Sequence, residues 1–419
     1  MSPPAHRSPR VFMMDLLAIV PYYTAYLSRA LLQQNVHLTV GSISYYLDPA
    51  CFRSRSIRLS PGLLNIVGRF PLPKLPRRVL KLVEATLNLA ALSLRFLLSP
   101  PDIIHVQYLP MLRSRLPMDL WFIKLLQRRG TKIVLTVHDL LPHDTADRYK
   151  RVFKDLYNDV DAIICHSGHI AARLRSEFHV PSHKIDVIPH GPFFYDLPVR
   201  SSDKILQSFE LQPRDLLFLW QGIIFPYKGI DLLLDAWRTV EDHLPNAQLV
   251  IAGTGSPDLL EQIHQQVAQL GLKNVRLHLR FITTEELVTL YRAADVVVYP
   301  YRAITTSGAL ATGLALGKTI IASDLPVFRE LLTDQISALL VNPQDPEALA
   351  SALLRLGRDP NLRETFATRI QSLNFGDQTW QSIARETIEA YQKVLSTSQP
   401  LIADDQSAPV HDSAHLLDS

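Results

Sequence analysis

Short apolar runs alternate with helix-length amphipathic segments through most of the chain. The runs are rich in Val, Ile and Leu and mostly lack a two-residue period, the pattern of strands buried on both faces. In the first half they predict strands at 11–17, 37–41, 103–107, 132–137, 162–165 and 186–188. Segments 22–34, 78–98, 120–129 and 170–178 carry apolar residues at helical spacing between them. A second series predicts strands at 216–220, 247–252, 275–279, 295–299, 319–322 and 338–341. Its helices are expected at 229–240, 259–269, 284–293, 308–316 and 346–356. This rhythm predicts an α/β protein built on doubly wound parallel sheets.

Two such series in 419 residues exceed one ordinary core. Two Rossmann-like lobes are therefore expected, at 1–195 and 214–376. After Pro189-His190-Gly191-Pro192 the chain turns polar and turn-rich, which reads as a linker at 196–213. Segment 377–395 is a last amphipathic helix, and 396–419 is polar without a period, as a disordered tail would be. Two lobes of this kind leave a cleft at the carboxyl ends of their strands, where ligands bind.

Composition narrows the partners. At 47% hydrophobic and 20% charged residues the chain fills globular cores, and a net charge of +3 argues against a dedicated nucleic-acid binder. The charge is unevenly spread: from Arg53 to Arg95 there are nine basic residues and one acid, Glu84. Arg69, Lys74, Arg77, Arg78 and Lys81 stand among Leu, Phe and Pro there, as in a surface that docks on anionic lipid. A solvated helix face with inward leucines has the same pattern. Cys51 and Cys165 form no CxxC, no secretory signal is recognisable at the start, and apolar stretch 87–98 is too short to span a bilayer. A cytoplasmic protein, at most peripheral on the inner face of a membrane, is expected.

The chemistry concentrates in 295–324, where a strand, a loop ending in Thr305-Thr306-Ser307-Gly308, a helix, Gly317 and another strand follow in order. Small and hydroxyl residues at the helix mouth leave backbone N–H groups of Ser307, Gly308 and Ala309 open to an anion. Lys228 starts another helix, the unfavourable end for a cation, so a functional task there is the better explanation. His138 and His190 each follow an apolar strand run. The pair Asp159 and Asp161 precedes a strand, away from the cleft, and no histidine pairs with carboxylates at a metal-binding spacing. No metal is expected.

With that architecture in hand, four segments together resemble a retaining, nucleotide-sugar-dependent glycosyltransferase of the GT-B fold, family 4. They are Gln221-Gly222 with Lys228-Gly229 and Asp231; Gly253 and Gly255 after a strand; Arg280-Phe281-Ile282 with Glu285-Glu286 and Tyr291; and Pro300-Tyr301-Arg302 with Thr306-Ser307-Gly308. Near His138-Asp139, Cys165-His166-Ser167 and Pro189-His190-Gly191 the first lobe is similar at lower specificity, and 377–395 looks like the helix that crosses back to it.

The resemblance implies two Rossmann-like domains facing across a cleft, an acceptor-binding first domain and a donor-binding second one. The implied reaction moves a hexose from a nucleotide-diphosphate sugar to a saccharide or lipid-linked glycan acceptor in envelope or exopolysaccharide synthesis. No cofactor beyond that co-substrate is implied. Lys228 and Arg302, with Ser307, Gly308 and Ala309, would hold the diphosphate. Phe281, Ile282 and Thr312 would face the base and ribose, His138 the donor sugar, and His143 and Asp144 the acceptor.

The chain also departs from the family. Its two glutamates eight apart are Ile304 and Thr312 here, the basic residue before Lys228 gives way to Ile223, Ile224 and Phe225, and the first lobe's glycine loop is Val20-Pro21-Tyr22-Tyr23. A catalytically impaired, membrane-associated partner and a GT-B nucleotide-sugar epimerase are the alternatives.

Overall fold

The computed structural model describes residues 9–45, 47–67, 69–70, 73–112, 117–141, 146–196, 203–212, 215–373 and 375–396. The first sheet runs β2-β1-β3-β4-β5-β6, all parallel. Its strands are β1 (Arg10–Asp15), β2 (His37–Ser42), β3 (Ile103–Val106), β4 (Lys132–Val137), β5 (Ala162–Cys165) and β6 (Ile185–Val187). The second runs β12-β11-β10-β7-β8-β9, again all parallel. Those are β7 (Leu216–Gln221), β8 (Ala247–Ala252), β9 (Val275–His278), β10 (Val296–Tyr299), β11 (Thr319–Ser323) and β12 (Leu339–Val341). Every predicted strand forms, with ends moved by a residue or two.

The strands read cleanly because helices cover both faces of each sheet. Leu135 and Val137 of β4 enter one core, whereas Val134 enters the core on the opposite face. Phe218 and Trp220 of β7 face one core of the second lobe, and Leu217 and Leu219 the other. Outside the expected linker three helices went unpredicted, Lys150–Asp159, Pro326–Arg329 and Pro360–Gln371. A short helix, Asp203–Ser208, lies in the expected linker and leads to Phe209, buried against the second sheet. The polar residues of 203–212 are therefore the outer side of an element docked by one aromatic anchor.

The helix Asp377–Ser396 returns to the first lobe. Trp380, Ile383 and Tyr391 share a core with Tyr23 and Tyr26 of the helix Pro21–Gln33. Trp380 Nε1 donates to Pro192 O at 2.8 Å, and its ring stacks on Tyr26 at 5.6 Å between centroids. Direct polar links also cross between lobes. Glu330 accepts from Gly168 N at 3.1 Å and His169 N at 3.0 Å, and Thr305 Oγ1 donates to Asp139 Oδ1 at 2.6 Å.

Candidate functional site

Strand order fixes where each lobe can bind a ligand. In the second sheet, connections leave in opposite directions between β7 and β10, so the loops after these two strands splay apart and open a crevice. Lys228 lies in the first loop and Thr305–Ser307 in the second. In the first sheet the corresponding reversal lies between β1 and β3. There the Asp15 carboxylate accepts from Ile19 N at 2.8 Å and Val20 N at 3.1 Å. Burial pushes its pKa up to about 6 against these stabilising bonds. A carboxylate-shaped loop thus stands where the family has glycines.

Lys228 ends a single helical turn, Pro226–Lys228, and Gly229 then adopts φ 67°. The left-handed residue turns the chain sharply, and its bare Cα allows close approach: a Cβ there would stand 1.9 Å from Pro300 O. The two crevice loops are locked together at this point, with Arg302 N donating to Tyr227 O at 2.7 Å. The Lys228 amine reaches back over the end of β7, 2.8 Å from where a Cβ on Gly222 would be. It lies 6.0 Å from the Trp220 ring centroid and 5.6 Å from that of Tyr301. Among the described residues it has no hydrogen-bond acceptor. Burial lowers its pKa to about 8, and the Asp139 carboxylate opposes that shift.

The helix Gly308–Ala315 opens at the end of the second crevice loop. Ser307 Oγ accepts from Leu310 N at 3.1 Å, leaving Gly308 N and Ala309 N without an acceptor among the described residues. Thr306 Oγ1, just before them, is also buried without a partner among the described residues. Tyr291 and Tyr299 both donate to Ala309 O, at 3.1 and 2.7 Å, which anchors the first turn. Orphan N–H groups at a helix start and a desolvated ammonium on the other crevice loop are groups of the kind that hold an anion.

Two of the expected contact residues have protein partners. Arg302 forms a bidentate pair with Asp231, at 2.8 and 2.6 Å, and donates to Pro226 O at 2.9 Å. These bonds brace the Lys228 turn. Thr312 lies one turn into its helix and is 2% exposed. Its hydroxyl donates to Gly308 O at 2.8 Å and accepts from Phe193 N at 3.2 Å, so it ties the first lobe's exit segment to this helix. Phe281 and Ile282 are half-buried in the loop between β9 and the helix Thr284–Ala293. His143 and Asp144 lie outside the described residues.

The first lobe contributes a group that sequence reasoning only partly found. His138, His166 and His190 follow β4, β5 and β6, and all three rings surround Tyr23 at 4.8–5.2 Å between centroids. His138 Nε2 pairs with Gln107 Oε1 at 3.1 Å, and His166 Nδ1 donates to Ile188 O at 3.0 Å. Burial holds His138 well below the usual histidine range and lowers His166 to about 4 and His190 to about 3. Neutral imidazoles here orient by hydrogen bonding and add no charge. His190 also reaches the helix mouth: a Cβ on Gly308 would lie 3.1 Å from its Cε1 and 2.8 Å from Phe193. Its place in sequence, directly after an apolar run as for His138 and His166, was the signal that the three share one sheet edge.

Two parallel sheets meeting across a cleft, each with its switch point at the carboxyl ends of its strands, define a GT-B architecture. Residues 20–191 match the family model described as Glycosyltransferase Family 4, and residues 215–359 the model described as Glycosyl transferases group 1. The chain belongs to this glycosyltransferase family. It is 28% identical over 235 residues to an uncharacterized glycosyltransferase of Methanocaldococcus jannaschii, covering 55% of this chain and 59% of that protein. Over 211 residues it is 28% identical to a phosphatidyl-myo-inositol mannosyltransferase of Mycolicibacterium smegmatis, covering 49% and 51%. The chain thus spans between half and three fifths of the length of these two relatives. In fold it is similar to Anabaena HepE crystallised with UDP and glucose, with TM-score 0.71 and 17% identity over 91% of this chain and all of that one.

Proposed function

We propose that this protein is a retaining, metal-independent hexosyltransferase that takes its sugar from a nucleotide-diphosphate donor. The observation that carries the proposal is the desolvated Lys228 amine, without an acceptor among the described residues, on one crevice loop, with the open N–H groups of Gly308 and Ala309 at the end of the other. Sugar transfer builds negative charge on the departing diphosphate, and fixed donors stabilise it without reorganising. The solved relative with UDP and glucose supports a nucleotide-sugar donor. His138, neutral and held by Gln107, would face the sugar from the other lobe. Purified protein should release nucleoside diphosphate from a UDP-, GDP- or ADP-sugar only when an acceptor is added, with a chelator making no difference. Absence of release from every donor–acceptor pair would favour the impaired-partner alternative, which the commitment of Arg302 to Asp231 also supports.

The proposed acceptor is a saccharide or lipid-linked glycan of envelope or exopolysaccharide synthesis, met at a membrane face. The helix Lys74–Leu98 buries Ala85, Leu89, Leu92 and Phe96 in the first lobe's core. Its opposite face exposes Val79, Val83, Leu87, Leu94 and Leu98, with relative exposures from 47% to 84%. A second apolar stripe has no use in a solvated helix. No helix among the described residues is long and apolar enough to cross a membrane. Sedimentation with anionic vesicles should carry the protein down, and Leu87→Glu with Leu94→Glu should release it. Equal recovery in the supernatant with neutral and anionic vesicles would remove the membrane contact.

A further inference from the structure

Nothing in the sequence marks Gln107 as more than a strand end, but the two ends of its amide have partners of opposite kind. The residue directly follows β3 and is 1% exposed, and its backbone N donates to Met14 O at 2.9 Å, at the reversal between β1 and β3. Its side-chain Nε2 donates to Met13 Sδ at 3.0 Å, and its Oε1 meets His138 Nε2 at 3.1 Å. A thioether has lone pairs and no proton to give, so the amide turns its NH2 toward the sulfur and its oxygen toward the histidine. That oxygen only accepts, so His138 Nε2 carries a proton. The ring is neutral, which leaves Nδ1 as a bare lone pair. Nδ1 has no hydrogen-bond partner among the described residues and is open to solvent, whereas His166 Nε2 is sealed and unpartnered. The Tyr23 ring meets the imidazole edge-on, 4.8 Å away between centroids, and limits its tilt.

We propose that Gln107 is a positioning residue that fixes His138 in its Nε2–H form, so that Nδ1 accepts a hydrogen bond from a hydroxyl of the donor sugar. The inference rests on the donor reading above and adds a demand on the substrate. The group brought to Nδ1 must be one that donates; an ether or a fluorine there would set lone pair against lone pair. Gln107 acts through His138 and touches no reacting atom. The free nucleoside diphosphate carries no sugar, so its binding is independent of Gln107.

The test is nuclear magnetic resonance of the full chain with 15N-labelled histidine, in which the His138 signals are those that His138→Gln removes. At neutral pH, wild type should show a bound proton on Nε2 and a lone pair on Nδ1. A proton on Nδ1 overturns the inference, and this reading stands even should the variant at position 107 fail to fold. Gln107→Met keeps the side-chain volume and removes the acceptor. The variant should lose the signal of the Nε2-bound proton to exchange with water. For whichever UDP-, GDP- or ADP-sugar wild type turns over, its kcat/KM should fall about tenfold, with affinity for the free diphosphate unchanged. A merely structural role would weaken sugar donor and diphosphate alike, and that result overturns the inference, as does a wild-type kcat/KM. If wild type turns over no nucleotide sugar, the donor reading fails, and the His138 spectra of wild type and Gln107→Met still decide whether Gln107 sets the tautomer.

Discussion

Lys228→Met is expected to slow sugar transfer roughly a thousandfold while making the protein more stable. The two effects have one cause. Lys228 is charged at neutral pH although burial lowers its pKa from 10.5 to about 8. Between those values the unfolded chain holds the proton and the folded chain does not, so stability rises with pH through that window. Below pH about 8 the penalty is present in full, at roughly 3 kcal/mol. Methionine fills a similar volume without the charge, and the melting temperature at pH 7 should rise by about 5 °C. The gain should shrink as pH climbs from about 8 toward 10.5. Wild-type affinity for a nucleoside diphosphate should fall over the same range, because the neutral amine no longer pairs with phosphate. A melting scan and a turnover assay at pH 7 and pH 9 read all of this. A variant that is both active and less stable would mean that the amine is a structural group.

Gly229→Ala should cost more than 3 kcal/mol and abolish nucleotide binding, whereas Gly271→Ala should cost only about 1 kcal/mol. The two glycines share φ 67°, so backbone strain is common to both. They differ in what a Cβ would meet. At Gly271 nothing lies within 4 Å, whereas at Gly229 Pro300 O lies at 1.9 Å. The clash would force apart the loops after β7 and β10, where the bond from Arg302 N to Tyr227 O joins them. Lys228 and the helix mouth would then separate. Urea unfolding with parallel nucleotide titration compares the pair, and equal costs at the two sites would show that loop contact adds nothing.

The sheets were legible because buried parallel strands leave a local mark: runs such as Lys132–Val137 and Ala162–Cys165 are apolar on both faces and formed with their expected ends. The lone ammonium and the helix mouth were legible for a similar reason, since a lysine at one helix start and small residues at another are local oddities. What failed was pairing at a distance. Nothing near Arg302 reveals that Asp231 will hold it in a fork, and nothing near Thr312 reveals that Phe193 N will meet its hydroxyl. Glu330, capping a helix of the other lobe through Gly168 N and His169 N, is equally silent in sequence. Such partners are chosen by how the lobes meet, which no local period records. The three strand-end histidines fall between these cases: their repeated position was visible, but their convergence on Tyr23 needed the sheet order.

The most direct measurement is a crystal structure of the chain with its nucleoside diphosphate bound. The account predicts phosphate oxygens about 3 Å from Lys228 Nζ and from the N–H groups of Gly308 and Ala309, with His138 facing the sugar position. A diphosphate seated elsewhere, or one that leaves the Lys228 amine without contact, would contradict it.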